Sequence, residues 1–276
     1  MIEYIVFYSC GGLGNLLFQY NYASSLAKRF NAKLYASESA FNCTRPRIST
    51  YKKFFSDLEF ITKSELYSDE KFKPIQEFSE KFFFYEDFDF DQTKKTLIIS
   101  GYFQSYKYTL SHHIELMSQH RNYLQTNFAQ KYQLDFTNKV CVHIRRGDYK
   151  DHKIFSILNE DYYEKALEIL FSKNNLSIFF VFSDDIPSIS SWSFWKKYPV
   201  LFFIEDDPLC LLYLMSSCNA FILANSTLSL NAYYIHNNFY NTDVVISSKY
   251  FDCGNGGPRY YIDDLIPITD KITIID

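Results

Sequence analysis

The chain predicts an α/β protein made of two doubly wound domains with parallel sheets, and three observations carry that prediction. The first 37 residues read strand, glycine loop, helix, strand. The second half alternates strand and helix four times. A polar turn, Thr137-Asn138, lies between the halves. Strand–helix alternation forces each strand to return in the same direction, so the strands pair in parallel with helices against the sheet.

Each element follows from a local pattern. Residues 2–9 are rich in Ile, Val, Phe and Tyr, which suits a strand buried on both faces. Gly11, Gly12 and Gly14 then break the run, and Leu16, Leu17, Tyr20, Ala23, Ala27 and Phe30 recur at helical spacing. Residues 32–37 form the returning strand. Residues 40–95 are aromatic and charged, with Pro46 and Pro74, and predict short helices and loops. A strand is expected over 96–100 and helix, in two pieces, over 106–132. Beyond the turn, strands are expected over 140–144, 177–182, 200–204, 220–224 and 243–247. Helices are expected over 161–171, 188–197, 209–217 and 227–235. The division is placed at 135/136, giving an N-terminal domain of residues 1–135 and a C-terminal domain of residues 136–276.

Composition narrows the class. A chain of 276 residues with 47% hydrophobic and 22% charged residues can bury a core without staples. A net charge of −4 gives no electrostatic footprint for nucleic acid. No window reaches the length of apolar sequence a membrane span needs, and residues 2–7 are interrupted by Glu3, so neither a spanning helix nor a signal peptide is expected. A cytoplasmic or membrane-peripheral location is the expectation. The six cysteines show no C-x-x-C pair and read as free thiols in a reducing compartment. With 28 Phe and 24 Tyr, rings are available both for the core and for stacking on sugars, which leaves a non-catalytic carbohydrate-binding protein as an alternative.

The segment richest in chemistry is His143-Ile144-Arg145-Arg146-Gly147-Asp148-Tyr149. An apolar strand ends here in two arginines. Ligands of open α/β sheets bind beyond the carboxyl ends of strands, and guanidinium forks suit phosphate. Gly147 permits a tight turn, and Asp148 is placed to orient an arginine or meet a ligand. His143 shares a strand face with Arg145 by the two-residue period. The same letters spell an adhesion tripeptide, Arg146-Gly147-Asp148, but they follow a core strand rather than tipping a long loop. At other strand ends, Asp184 is placed to accept from a nucleoside, and Asn225, Ser226 and Thr227 offer amides and hydroxyls at a helix start. Each of these also reads as ordinary helix capping. Gly12 and Gly14 form a strand-to-helix turn that can approach phosphate but fits no dinucleotide or Walker pattern, and Asn15 reads as the N-cap of the helix that follows. A competing signal, Asp87-Phe88-Asp89-Phe90-Asp91, contains the D-x-D spacing used by metal-dependent transferases. Alternation of Asp with Phe reads more simply as a solvated strand face.

Taken in order, five segments resemble the bacterial α-1,2-fucosyltransferase family, glycosyltransferase family 11. These are Gly11-Gly12-Leu13-Gly14-Asn15 with Leu17-Phe18-Gln19-Tyr20, then Gly101-Tyr102-Phe103-Gln104-Ser105, then His143 to Tyr149. Phe182-Ser183-Asp184-Asp185 follows, and then Leu214-Met215-Ser216 to Ala224-Asn225-Ser226-Thr227. The resemblance implies a GT-B-like fold, two Rossmann-like domains facing a cleft, with no metal or other cofactor. It implies GDP-β-L-fucose as donor, held mainly by the C-terminal domain, and inverting transfer to a galactose 2-hydroxyl of a glycan. Arg145 would stabilise leaving GDP, with His143 and Asp148 beside it. Gly12, Gly14, Asn15, Arg146, Asp184, Asn225, Ser226 and Thr227 would line the donor. Two departures stand out: Leu16 where the family has Gln, and Leu228-Ser229-Leu230-Asn231 where it has aromatics. They open a second donor, another GDP-6-deoxyhexose such as colitose.

Overall fold

A computed structural model of the chain describes residues 1–38, 48–55, 58–81, 85–151, 156–173, 177–237, 245–252, 259–267 and 272–275. It is α/β with parallel sheets. The chain divides into two compact units, Met1–Leu116 and Met117–Asp276.

The first unit runs β1 (Tyr4–Tyr8), α1 (Leu13–Phe30), β2 (Lys33–Ser37), β3 (Glu59–Phe60), α2 (Lys63–Ser68), β4 (Ile75–Ser79) and β5 (Thr96–Ser100). Its sheet has the order β3-β2-β1-β5-β4, and every pair is parallel. Ile5, Val6 and Phe7 of β1 and Leu97, Ile98 and Ile99 of β5 are buried without alternation, as strands covered on both faces must be. One face packs on Leu66 and Phe72. Helix α1 is buried along most of its length and stops at Asn31, whose left-handed φ of 51° lets the chain turn into β2.

Helix α3 (His113–Phe128) carries the division between the units, upstream of the expected 135/136. The reason lies past Leu116. Arg121 donates from Nε to the Ile235 carbonyl at 2.8 Å and from Nη2 to the Ile235 and His236 carbonyls, so this half of the helix is tied to a helix C-terminus of the second unit. The expected turn is present, with Asn138 at φ 55°, but the division does not fall there.

The second unit continues through β6 (Lys139–Ile144), α4 (Glu160–Lys173), β7 (Ile178–Ser183), α5 (Ile186–Ile189), β8 (Val200–Phe203), α6 (Pro208–Ser216), β9 (Ala220–Ile222) and α7 (Thr227–Asn237). It ends with β10 (Val245–Ser248), the hairpin β11 (Tyr250–Asp252) and β12 (Arg259–Tyr261), α8 (Ile262–Leu265) and β13 (Ile272–Ile275). The six-stranded sheet has the order β13-β10-β9-β6-β7-β8, again with every pair parallel. Val140, Val142 and Ile144 of β6 pack with Tyr162, Tyr163 and Leu167 of α4.

Several expectations need correction. Strands β3 and β4 lie in the stretch read as short helices and loops, because β4 alternates exposed and half-buried residues at a sheet edge and lacks the apolar density of a central strand. The helix expected over 188–197 is two short pieces, α5 and a 3-10 turn at Ser193–Lys197. The Asp-Phe segment is not a strand. Its alternation is nevertheless real: Asp87, Asp89 and Asp91 are exposed, and Phe88 and Phe90 pack on Phe78. Among the described residues the free cysteines are Cys10, Cys141, Cys210 and Cys218, while Cys43 and Cys253 lie outside them. No described helix is long and apolar enough to cross a membrane.

Candidate active site

Each sheet reverses its winding once. In the second unit the chain moves outward from β6 through β7 to β8, then returns to lay β9 on the other side of β6. The loops leaving β6 and β9 diverge at that point and leave a crevice. The β6 loop holds Arg145 to Tyr149, and the β9 loop holds Asn225 and Ser226. They are tied together by the Tyr149 hydroxyl, which donates to the Asn225 carbonyl at 2.8 Å.

Arg145 is the centre of this crevice. Its Nη2 meets Asp148 Oδ1 at 2.7 Å and its Nη1 meets Asp184 Oδ2 at 3.0 Å, with the side chain 28% exposed. The guanidinium also lies 5.4 Å from the Tyr149 ring centroid. A cation held on two sides by carboxylates and on a third by a ring keeps one orientation, yet remains open to solvent. Asp184 does two jobs, since its Oδ1 accepts from the Arg146 backbone N–H at 2.8 Å. Both its oxygens therefore meet the arginine segment. Gly147 suits this packing. A Cβ there would sit 2.7 Å from Asp184 Oδ2, so that carboxylate would have to shift.

Arg146 points elsewhere. Its guanidinium carbon lies 5.6 Å from the Trp192 ring centroid, and its Nε is buried with no hydrogen-bond partner among the described residues. His143 is 5% exposed, its Nδ1 likewise lacks a partner, and its carbonyl accepts from the Tyr163 hydroxyl at 3.2 Å. Burial, aided by the nearby Arg145 charge, pushes its pKa down to about 3. The imidazole is therefore neutral at ordinary pH and acts as a hydrogen-bonding group. Asn225, 8% exposed, donates to the Ser156 carbonyl at 3.5 Å while its Oδ1 has no partner among the described residues. Ser226 caps α7, its Oγ accepting from the Leu228 N–H at 3.4 Å, and Thr227 is the first helical residue. Buried donors and acceptors left unpaired at the mouth of a sheet are costly unless a ligand or water completes them.

The first unit has its own switch point, between β1 and β5. Gly12, not Asn15, is the N-cap of α1; Asn15 is the third helical residue, and Gly14 is buried in the first turn. Gly11 stands at φ 90°, where an L side chain is strained, and a Cβ there would meet Asn15 Nδ2 at 2.6 Å. Asn15 Oδ1 accepts from Gln104 Nε2 at 2.9 Å. Buried Gln19 spans the two loops, accepting from the Cys10 N–H and donating to the Gly101 carbonyl, both at 3.0 Å. Gln19, Glu80 and Trp192 escaped the sequence reading. Gln19 and Gln104 lie inside quoted motifs, so a signal existed for them. Glu80 follows an unrecognised edge strand and Trp192 belongs to no motif.

Sequence and fold are similar to those of known proteins. The family model of Glycosyl transferase family 11 covers residues 75–250. The chain belongs to glycosyltransferase family 11. This family 11 chain is 30% identical over 255 residues to an alpha-1,2-colitosyltransferase of Escherichia coli, across 79% of its own length and 83% of that protein. It is also 30% identical over 135 residues to the O-antigen biosynthesis glycosyltransferase WbnK of Escherichia coli, across 47% of its own length and 44% of the relative. Its fold is similar to that of fucosyltransferase NodZ from Bradyrhizobium, with a TM-score of 0.54 at 13% identity over 92% of this chain and 97% of the other. NodZ co-crystallized with GDP gives a TM-score of 0.51, also at 13% identity. The GT-B-like class implied by the motifs is the class of these folds. Among the described residues no three His, Cys, Asp or Glu side chains gather as metal ligands do.

Proposed function

We propose that this family 11 glycosyltransferase is inverting and metal-independent, moving L-fucose from GDP-β-L-fucose to a galactose 2-hydroxyl of a glycan. The observation that carries the proposal is Arg145, fixed by Asp148 and Asp184 at the switch point of the second sheet. Breaking the bond between sugar and pyrophosphate develops negative charge on departing GDP and positive charge on the sugar ring. A guanidinium already oriented at the pyrophosphate stabilises that charge without reorganising. The second unit then binds the donor, with Arg146, His143, Asn225, Ser226 and Thr227 around it. The first unit, through Gly12, Gly14 and Asn15, serves the sugar and its acceptor. Inversion requires the acceptor hydroxyl to attack from the face opposite GDP.

One observation favours a second donor. The colitosyltransferase relative aligns over most of the chain, which supports GDP-colitose as the alternative to GDP-fucose. Arg145 serves either sugar, because it addresses the shared GDP.

Thermal shift against GDP, GDP-fucose, GDP-colitose and UDP, each with and without EDTA, tests the proposal. GDP and one GDP-sugar are expected to raise the melting temperature by mass action, UDP is not, and EDTA is expected to change neither. Stabilisation by UDP, or loss of the GDP shift on chelation, would sink it. Release of GDP with formation of a glycoside separates an enzyme from a non-catalytic carbohydrate binder.

A further inference from the structure

The loop after β5 adopts a backbone that its own sequence disfavours. Gly101 stands at φ 151° and Phe103 at φ 50°. Positive φ is costly for a bulky side chain, and such residues persist only where the surroundings over-determine them. Phe103 is also fully buried, so the conformation is no surface irregularity.

One side chain over-determines it. Glu80, the residue after β4, accepts from the Tyr102 N–H at 2.6 Å and from the Phe103 N–H at 3.0–3.1 Å with both its oxygens. Successive backbone N–H groups converging on an anion form a nest, and here the anion belongs to the chain. Gly101 fits the same design, since a Cβ there would lie 2.4 Å from Glu80 Cβ. The next residue, Gln104, donates to Asn15, and Gly101 accepts from Gln19, which also holds Cys10 in the loop after β1. Glu80 therefore stands at the root of the polar chain that ties together the two switch-point loops of the first unit.

We infer that Glu80 is a positioning residue: it holds the Gly101–Phe103 backbone, and through it the Gln104–Asn15 amide pair, in the geometry the transfer reaction uses. The inference rests on the proposed transferase reading, in which Asn15 serves the reacting sugar. A displacement of about 1 Å in such a pair is enough to cost about a hundredfold in rate.

The test compares E80A, E80Q and Q104A with wild type. Three quantities are measured: backbone hydrogen exchange at residues 102 and 103, GDP affinity, and GDP release from GDP-fucose with and without lactose. Loss of both acceptor oxygens in E80A is expected to speed exchange at 102 and 103 about tenfold or more and lower kcat/KM about ten- to a hundredfold. GDP affinity, which belongs to the second unit, should stay within about twofold. E80Q keeps a carbonyl acceptor and should restore most of both losses. Q104A should reproduce the loss of turnover with exchange unchanged, and it carries the test with E80Q if E80A does not fold. Wild-type exchange in E80A overturns the inference, as does a loosened loop with undiminished turnover. E80Q with a restored loop but the turnover of E80A also overturns it, because the carboxylate would then be a reacting group. A wild type that neither binds GDP nor releases it from GDP-fucose would instead defeat the transferase reading, and the exchange data would still decide what holds the loop.

Discussion

The two switch points of this protein share an architecture and differ in chemistry. In the first unit the loops after β1 and β5 are joined by neutral amides, Gln19, Asn15 and Gln104, and the carboxylate of Glu80 is turned onto backbone N–H groups. In the second unit the loops after β6 and β9 surround a guanidinium braced by two carboxylates. A parallel sheet that reverses its winding opens a crevice wherever it does so. What the crevice can bind is decided by the residues at the strand ends: hydroxyl-matching groups in one unit, a fixed positive charge in the other.

The comparison breaks most visibly at Arg145. Arg145→Ala is expected to lower kcat about a hundred- to a thousandfold, the loss typical of removing one preorganised donor to a developing anion. Arg145→Lys should fall between, because a point charge cannot reproduce the fork held by Asp148 and Asp184. Full turnover in Arg145→Ala would end the claim that this crevice does the chemistry.

Gly147→Ala is expected to cost less, about tenfold to a hundredfold in kcat/KM, by driving Asp184 away and releasing Arg145. Steady-state kinetics with a fold check by circular dichroism will read it. Unchanged kinetics would mean Arg145 does not depend on Asp184.

The second unit should also respond to acid. His120 and His143, both in the second unit, are each pushed down to about 3 by burial. Below pH about 6.5 the unfolded chain takes up a proton at each that the folded chain refuses, so stability falls between pH 6.5 and about 3 and is untouched by them above pH 7. The slope is about 1.4 kcal/mol per pH unit per histidine. Urea midpoints at pH 7.5 and 5.5 should show it, and His120→Gln should remove about half of the histidine contribution. A midpoint that does not move would mean that both are charged in the fold. The smallest effect is expected at the exposed Asp87 and Asp89. Their replacement by Asn should change stability by no more than about 0.5 kcal/mol and leave turnover unchanged, with EDTA or without it.

How much was legible in the sequence varied with depth in the fold. Central strands β1, β5, β6 and β7 are continuous apolar runs, and their positions were readable to within two residues. The edge strands β3 and β4 of the first sheet were not: β4 carries Gln76 and Glu77 on a half-exposed surface, and its apolar pattern is weak. The helix start at Gly12 was displaced to Asn15 because an Asn before an apolar run is the stronger local signal. Here Asn15 is instead held by Gln104, 89 residues away in sequence.

By itself, the sequence determined the fold class, the family and the residue types at each strand end, because hydrophobic periodicity and ordered motifs are local properties. Only the tertiary structure decided which of those residues meet. Asp184 reaches Arg145 because β7 pairs beside β6, Tyr149 reaches Asn225 because β9 returns to the other side of β6, and Glu80 reaches Phe103 because β4 pairs with β5. Strand order is fixed by packing the whole sheet, and no local window contains it.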